Sequence, residues 1–317
     1  MSDPIIDPSH AIPAASQLRR SRFRWRIIAF VALVIAILAG AGRFATENGL
    51  AGVAGNSIAR VDIDGTIATD AARLEIFDRL GEDDTVKAVL IAINSPGGTT
   101  AGGEELYDAI GKLRAKKPVV AYVKELGASA AYMTAIATDR IFVRRLSIVG
   151  SIGVLFQTAN AQKLMQTIGV DLEKVQSGPL KAEPDIDEPM SPEVRASLQS
   201  LVDDSFSWFV DIVAERRGLS RADVLPLADG RIMTGNQAIA EKLVDEVGGE
   251  AEAIAWLEAN KDIPADLPVA TWYPVAQPGW GEWGKWVGGQ ARVALGLPAE
   301  GPVLLDGLVS LWQVAAD

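Results

Sequence analysis

Ser129 lies in Glu125-Leu126-Gly127-Ala128-Ser129-Ala130-Ala131-Tyr132, where a strand-like stretch gives way to a helix-like one. Two roles fit a serine there. Its hydroxyl can accept a bond from the first helical turn and cap it. Or it can be a nucleophile, with free N–H groups and a partial positive charge at the helix start beside it. The small neighbours would let a substrate backbone come close. Upstream, an apolar run ends in Asn94-Ser95-Pro96-Gly97-Gly98. That is either a tight turn or bare backbone at a strand end, where the N–H of Gly97 or Gly98 joins that of Ala130 in an oxyanion hole.

A serine nucleophile needs a base. The chain has 317 residues, no cysteine and one histidine, His10, in a polar N-terminal tail. A Ser-His-Asp triad in the folded part is excluded, as are disulfides, a thiol nucleophile and a multi-histidine zinc site. Lysine is the usual replacement, provided burial brings its pKa down from ~10.4 towards neutrality. Lys181 sits in Ser177-Gly178-Pro179-Leu180-Lys181-Ala182, among apolar and small residues with no adjacent charge. Lys124, Lys163 and Lys174 are alternatives. A solvated surface lysine is the ordinary reading of each.

The elements that would hold these residues alternate between strand and helix patterns. Strands are expected at Ser57–Ile63, Val86–Ile93, Pro118–Val123 and Arg140–Val143. Helices are expected at Asp70–Leu80, Gly102–Leu113, Ser129–Thr138, Ala159–Ile168, Pro192–Arg217, Gly235–Leu243 and Ala251–Asn260. Val86–Ile93 is almost continuously apolar, as in a strand covered on both faces. The alternation predicts an α/β domain with crossover connections. Residues 263–317 hold five of the eight tryptophans and many Gly and Pro. They read either as irregular packing and oligomer contact, or as a membrane-interface or substrate-binding surface.

Hydrophobic residues make up 49% of the chain, which excludes a disordered protein. Net charge is −11, yet six basic residues and only two acidic ones precede residue 44. The acidic body argues against nucleic-acid binding. Residues 27–42, IIAFVALVIAILAGAG, carry no charge. As helix they would span roughly 24 Å, which Trp25, Arg26 and Arg43 can extend at the interfaces. The arginines before this run put the N-terminus in the cytoplasm and the body outside. A cleaved signal peptide competes, with Ala39-Gly40-Ala41 as the cleavage site. The expected organisation is a cytoplasmic tail (1–26), a membrane anchor (27–43), a linker (44–55), a catalytic domain (56–260) and a Trp-rich segment (261–317).

In order and spacing, these motifs resemble the signal peptide peptidase (SppA) family of membrane-anchored Ser-Lys proteases. Ala128-Ser129-Ala130-Ala131-Tyr132 is similar to the family's nucleophile segment, and Ser177-Gly178-Pro179-Leu180-Lys181 to its general-base segment. Gly150-Ser151-Ile152-Gly153 is similar to the segment whose serine orients that lysine. The steps of 22 residues from Ser129 to Ser151 and 52 to Lys181 fit. So do the NSPGG turn and the stretch from Asp229-Gly230-Arg231 through Ala238, Leu243, Val244, Asp245 and Gly248. Alanines at 130 and 131 replace two family glycines.

The resemblance implies a crotonase/Clp-protease-like α/β fold and a Ser129–Lys181 dyad positioned by Ser151. The oxyanion hole would come from Gly97 or Gly98 with Ala130. It implies no cofactor or metal, a homo-oligomer, and a bacterial inner-membrane anchor with the catalytic domain in the periplasm. Substrates would be remnant signal peptides and other apolar peptides. Two rivals stand: a quality-control protease of the same fold, and a non-proteolytic crotonase-like protein or inactive scaffold.

Overall fold

The computed structural model describes residues 55–273 and 309–311, all within one compact unit. The expected membrane segment lies outside the described residues. Among the described residues, no helix is long and apolar enough to cross a membrane.

Ten strands and eight α-helices are described. The strands are β1 (Ser57–Asp64), β2 (Val86–Ser95), β3 (Gly97–Thr99), β4 (Val119–Ala128), β5 (Arg140–Val143), β6 (Ile148–Gly150), β7 (Ile232–Thr234), β8 (Glu246–Val247), β9 (Val269–Tyr273) and β10 (Val309–Leu311). The helices are α1 (Ala71–Glu82), α2 (Thr100–Arg114), α3 (Ala130–Ile136), α4 (Gln162–Ile168), α5 (Pro192–Arg217), α6 (Arg221–Val224), α7 (Gly235–Ala240) and α8 (Glu250–Asn260).

An eight-stranded sheet runs β7-β6-β4-β2-β1-β9, with β5 and β8 branching from β4. All its pairs are parallel except β6–β7, so the α/β class holds with a mixed sheet. Parallel strands need both faces covered. Ala88, Leu90 and Ala92 of β2 form one core with Ala253 and Leu257 of α8. The alternate residues Val89, Ile91 and Ile93, also fully buried, point to the opposite face. There α3 packs against both β2 and β4.

The helix ends follow sequence chemistry. Ser191 caps α5 by accepting from Val194 N at 3.2 Å, Pro192 opens the helix, and Gly218 closes it at φ 62°. Arg216, in its last turn, donates to the Ile136 and Thr138 carbonyls at 2.8 Å each. The long helix thereby supplies donors to the C-terminal end of α3, which carries Ser129 at its start.

The sheet continues past residue 260. β9 adds to the far edge beside β1, with Trp272 buried. The hydroxyl of Tyr273 donates to Asp70 Oδ2 at 2.6 Å, and Asp70 Oδ1 accepts from Ala72 N and Arg73 N at the start of α1. The Tyr273 bond, helped by the Arg73 N–H and charge against the opposing effect of burial, holds the Asp70 carboxyl below its usual range.

Asp70→Ala is expected to lower stability in urea by about 1 kcal/mol, the usual worth of a cap. A carboxyl lowered in the folded state stabilises above its unfolded pKa, and this contribution fades as pH falls through the lower folded value. The gap between variant and wild type is therefore full at neutral pH and shrinks below about pH 4.

Candidate active site

Ser129 is the residue between the end of β4 and the start of α3, and its backbone sits at φ 60° and ψ −121°. An L-residue held in so sparsely populated a region stores about 1–3 kcal/mol of strain. Three backbone bonds impose it. Ser129 N donates to the Gly150 carbonyl at 2.8 Å, and the Ser129 carbonyl accepts from Tyr132 N at 2.8 Å and Met133 N at 3.0 Å. Ser129 is only 1% exposed. It occupies the N-cap position of α3, yet its side chain makes no capping bond. The capping role that its position suggested is therefore not filled by the hydroxyl.

Ser151 follows Gly150, the residue whose carbonyl holds Ser129. The two serines are thus adjacent through one backbone link. Ser151 is nearly buried, at φ 51°, with its N–H donated to the Arg231 carbonyl at 2.7 Å. Arg231 is fixed in turn by Asp229, which accepts from its Nε at 2.8 Å and its N–H at 3.0 Å. The Arg231 side-chain bonds are the main reason the Asp229 carboxyl is pulled down to about 2. The Asp-Gly-Arg motif thus braces the loop bearing Ser151.

The second half of that motif braces α3. The buried Tyr132 hydroxyl donates to the Leu243 carbonyl at 2.7 Å. Asp245 accepts from both Arg217 Nη atoms, at 2.8 and 3.1 Å, and from Ile141 N at 2.8 Å. Leu243, Val244 and Asp245 therefore act as a clamp behind the Ser129 helix.

Gly97 and Gly98 form β3, which leaves the main sheet and packs against α3. Gly97 N donates to the Ser95 hydroxyl at 3.1 Å. Its N–H is engaged, so Gly98 rather than Gly97 fits the oxyanion role. Gly98 sits against Ile67: a Cβ added at 98 would fall 1.8 Å from the Ile67 carbonyl oxygen. Ala130 is fully buried in the first turn of α3, where N–H groups lack an intrahelical acceptor. Gly103 of α2 crosses it so closely that an added Cβ would lie 3.0 Å from the Ala130 Cβ. Ile67 and Tyr132 carry no signal of these roles in the sequence, because Ile67 acts through its backbone and Tyr132 through a partner distant along the chain, whereas the Ser95 hydroxyl meets Gly97 only two residues on.

The lysines separate clearly. Lys124 donates to Asp62 at 2.7 Å and Asp64 at 3.4 Å. Burial opposes its charge, but the Asp62 bond and the two carboxylates win and hold the amine above its ordinary value. Lys174 is bound by Asp185, Glu183 and Glu188, whose hydrogen bonds raise it further. Neither is suited to be a neutral base. These three acids also form a potential metal-binding trio, but the Lys174 amine already bonds all of them. Lys181 is exposed, on a turn where its N–H donates to the Gly178 carbonyl at 3.1 Å. Ala182 follows at φ 68°. Within the described residues Lys181 lacks the burial expected of it, because the segment around it lies at the surface.

Residues 111–264 match the model of peptidase family S49. An Enterococcus faecium protein named "Putative signal peptide peptidase SppA" is 30% identical over 242 residues, 72% of this chain and 70% of that one. The chain belongs to peptidase family S49. A Synechocystis protein named "Putative protease" is 37% identical over 63% of this chain and 72% of its own length. A Methanocaldococcus jannaschii protein with the same description is 40% identical over 58% of this chain, which spans 60% of that relative. Among solved structures, a ClpP1 mutant from Listeria monocytogenes is similar with TM-score 0.42 and 16% identity, over 62% of this chain and 94% of its own. The S49 match includes Ser129, Ser151, Lys181 and the clamp from Asp229 to Asp245.

Two glycine substitutions should act in opposite directions. Gly98→Ala drives a methyl into the Ile67 backbone and should cost about 1–3 kcal/mol or displace β3, with peptidase activity lost in the folded fraction. Gly111→Ala, in the last turn of α2 with nothing within 4 Å of the new methyl, should stabilise by about 0.5–1 kcal/mol. Urea unfolding followed by circular dichroism reads both.

Proposed function

We propose that this S49 protein is a membrane-anchored serine endopeptidase in which Ser129 is the nucleophile and Lys181 the general base. The observation that carries the reading is the strained, buried Ser129 at the strand-to-helix turn, with its hydroxyl not used for capping. Lys181 in neutral form takes the Ser129 proton as the hydroxyl oxygen attacks the peptide carbonyl. The N–H groups of Gly98 and Ala130 receive the developing negative charge. The amine gives its proton to the leaving nitrogen, then activates the water that releases the acyl group. Ser151 keeps the amine in place. The membrane anchor at 27–43 would hold the enzyme where apolar peptides and remnant signal peptides accumulate, with the catalytic domain in the periplasm.

Assembly supplies what one chain lacks. Eight of the twelve large apolar side chains exposed among the described residues fall between 155 and 186. They include Leu164, Ile168, Leu172, Val175 and Leu180, beside Lys181. So large an apolar stretch marks an interface. Covering it with a second copy would exclude water from Lys181 and complete the dyad between two chains.

Ser129→Ala and Lys181→Ala should each lower kcat on an apolar fluorogenic peptide by about three orders of magnitude or more, with folding and assembly unchanged. Co-assembling the two inactive variants in equal amounts should restore about a quarter of the wild-type sites if the dyad forms between copies. No recovery would place the base in the same chain as the nucleophile. Full activity in Lys181→Ala would remove it from the mechanism. A panel of signal peptides and unfolded soluble proteins separates signal-peptide turnover from quality control.

A further inference from the structure

Between Gly169, which closes α4 at φ 72°, and Ser191, which caps α5, the chain forms a hoop of turns and bends with no helix or strand. Lys181 lies near the middle of this hoop in sequence. The outgoing arm leaves α4 through a bond from Val170 N to the Met165 carbonyl at 3.0 Å. The returning arm is tied to the start of α4. The Ile186 carbonyl accepts from Ala161 N at 2.6 Å, and the Glu188 carbonyl from Asn160 Nδ2 at 2.7 Å. Among the described residues, the hydrogen bonds that join the two arms to each other all come from the Lys174 amine.

An ammonium has three N–H donors. Lys174 gives them to Glu183, Asp185 and Glu188, the last at 3.2 Å. The Glu183 side chain is only 8% exposed, and its second oxygen accepts from Asp185 N at 3.3 Å. Oxygens of the three acids lie within 4.8 Å of one another. Without a cation between them, that arrangement repels itself. Within residues 175–194 the only other cation is Lys181. With Lys174 removed, the acids would either part and open the hoop or draw Lys181 into the vacated place.

We propose that Lys174 is a positioning residue for the reaction: it closes the hoop on Glu183, Asp185 and Glu188 and so presents Lys181 in one fixed arrangement. This rests on the reading of Lys181 as the general base. A base carried on an exposed loop meets its serine reproducibly only if the loop is shaped before it docks. Lys174 supplies that shape where no strand or helix does, and it occupies the carboxylates that compete for the base.

The test compares full-length wild type with Lys174→Met, Lys174→Gln, Lys174→Arg, Lys181→Ala and the double variant Lys174→Met/Lys181→Ala. Turnover of an apolar fluorogenic peptide and the rate of fluorophosphonate labelling are read beside circular dichroism and assembly state. Lys174→Met and Lys174→Gln should lower kcat about tenfold to a hundredfold, as misplacement of a reacting group does, with KM nearly unchanged. Lys174→Arg, which keeps the charge and several donors, should restore most of the rate. The double variant should label at the rate of Lys181→Ala, because a residue that acts only through Lys181 adds nothing once Lys181 is gone. Wild-type kcat in both neutral variants, a change confined to KM, or a further full loss in the double variant would overturn the proposal. Loss of assembly in both neutral variants would make Lys174 a structural residue and overturn it too. Impaired Lys181→Ala with unimpaired Lys174→Met removes the positioning role alone, whereas wild-type turnover in Lys181→Ala removes the base and the positioning role together.

Discussion

A serine forced to φ 60° and ψ −121° stays there only if its surroundings outweigh its own preference. Much of the long-range bonding around β4 and α3 acts in that direction. The Gly150 carbonyl fixes the amide before the turn, and the first turn of α3 fixes the carbonyl after it. Tyr132 anchors the helix to Leu243, and Arg216 meets the carbonyls at its far end. The strain presents the serine at the mouth of the strands, beside the first N–H groups of α3. Relaxing Ser129 into an ordinary helical or extended geometry would move it relative to the loop bearing Ser151 and to β3.

The same frame explains why the site lies where it does. Ligands of open parallel sheets bind beyond the carboxyl ends of the strands. β2 and β4 end in Ser95 and Ala128, and both chains then leave the sheet, one as β3 and the other as α3. Apolar strands packed on both faces make a rigid floor for these departures. Glycines at 98 and 103 let β3 and α2 approach Ile67 and Ala130 more closely than any side chain would allow. Close packing sets β3 against the start of α3, while Lys181 lies on a segment exposed in the single chain.

Long, strongly patterned elements were legible in the sequence. β5 at Arg140–Val143 and α5 at Pro192–Arg217 have the boundaries their patterns suggest, and β1, β2, α1, α2 and α8 differ by a few residues at their ends. Short strands were not legible: β3, β6, β7 and β8 have only two or three residues, too few for periodicity. β9 was hidden in a Trp- and Pro-containing stretch that reads as irregular, since its place is set by pairing with β1. Around the site, Ser129 and Ser151 could be named from motif order. That carboxylates hold Lys124 follows only from contacts between distant residues, while the Gly97–Ser95 bond and the acids around Lys174 depend on local loop geometry that periodicity does not show. The exposure of Lys181 was also not legible, because its apolar neighbours suggest burial that one chain does not supply.

Ser129 is the group proposed to attack the carbonyl. The most direct measurement is mass-spectrometric mapping of the adduct formed when the assembled wild-type protein reacts with a fluorophosphonate probe. The expected result is a single modified residue, Ser129, with labelling abolished in Ser129→Ala and strongly slowed in Lys181→Ala. An adduct on another serine, or labelling that persists unchanged in Ser129→Ala, would contradict it.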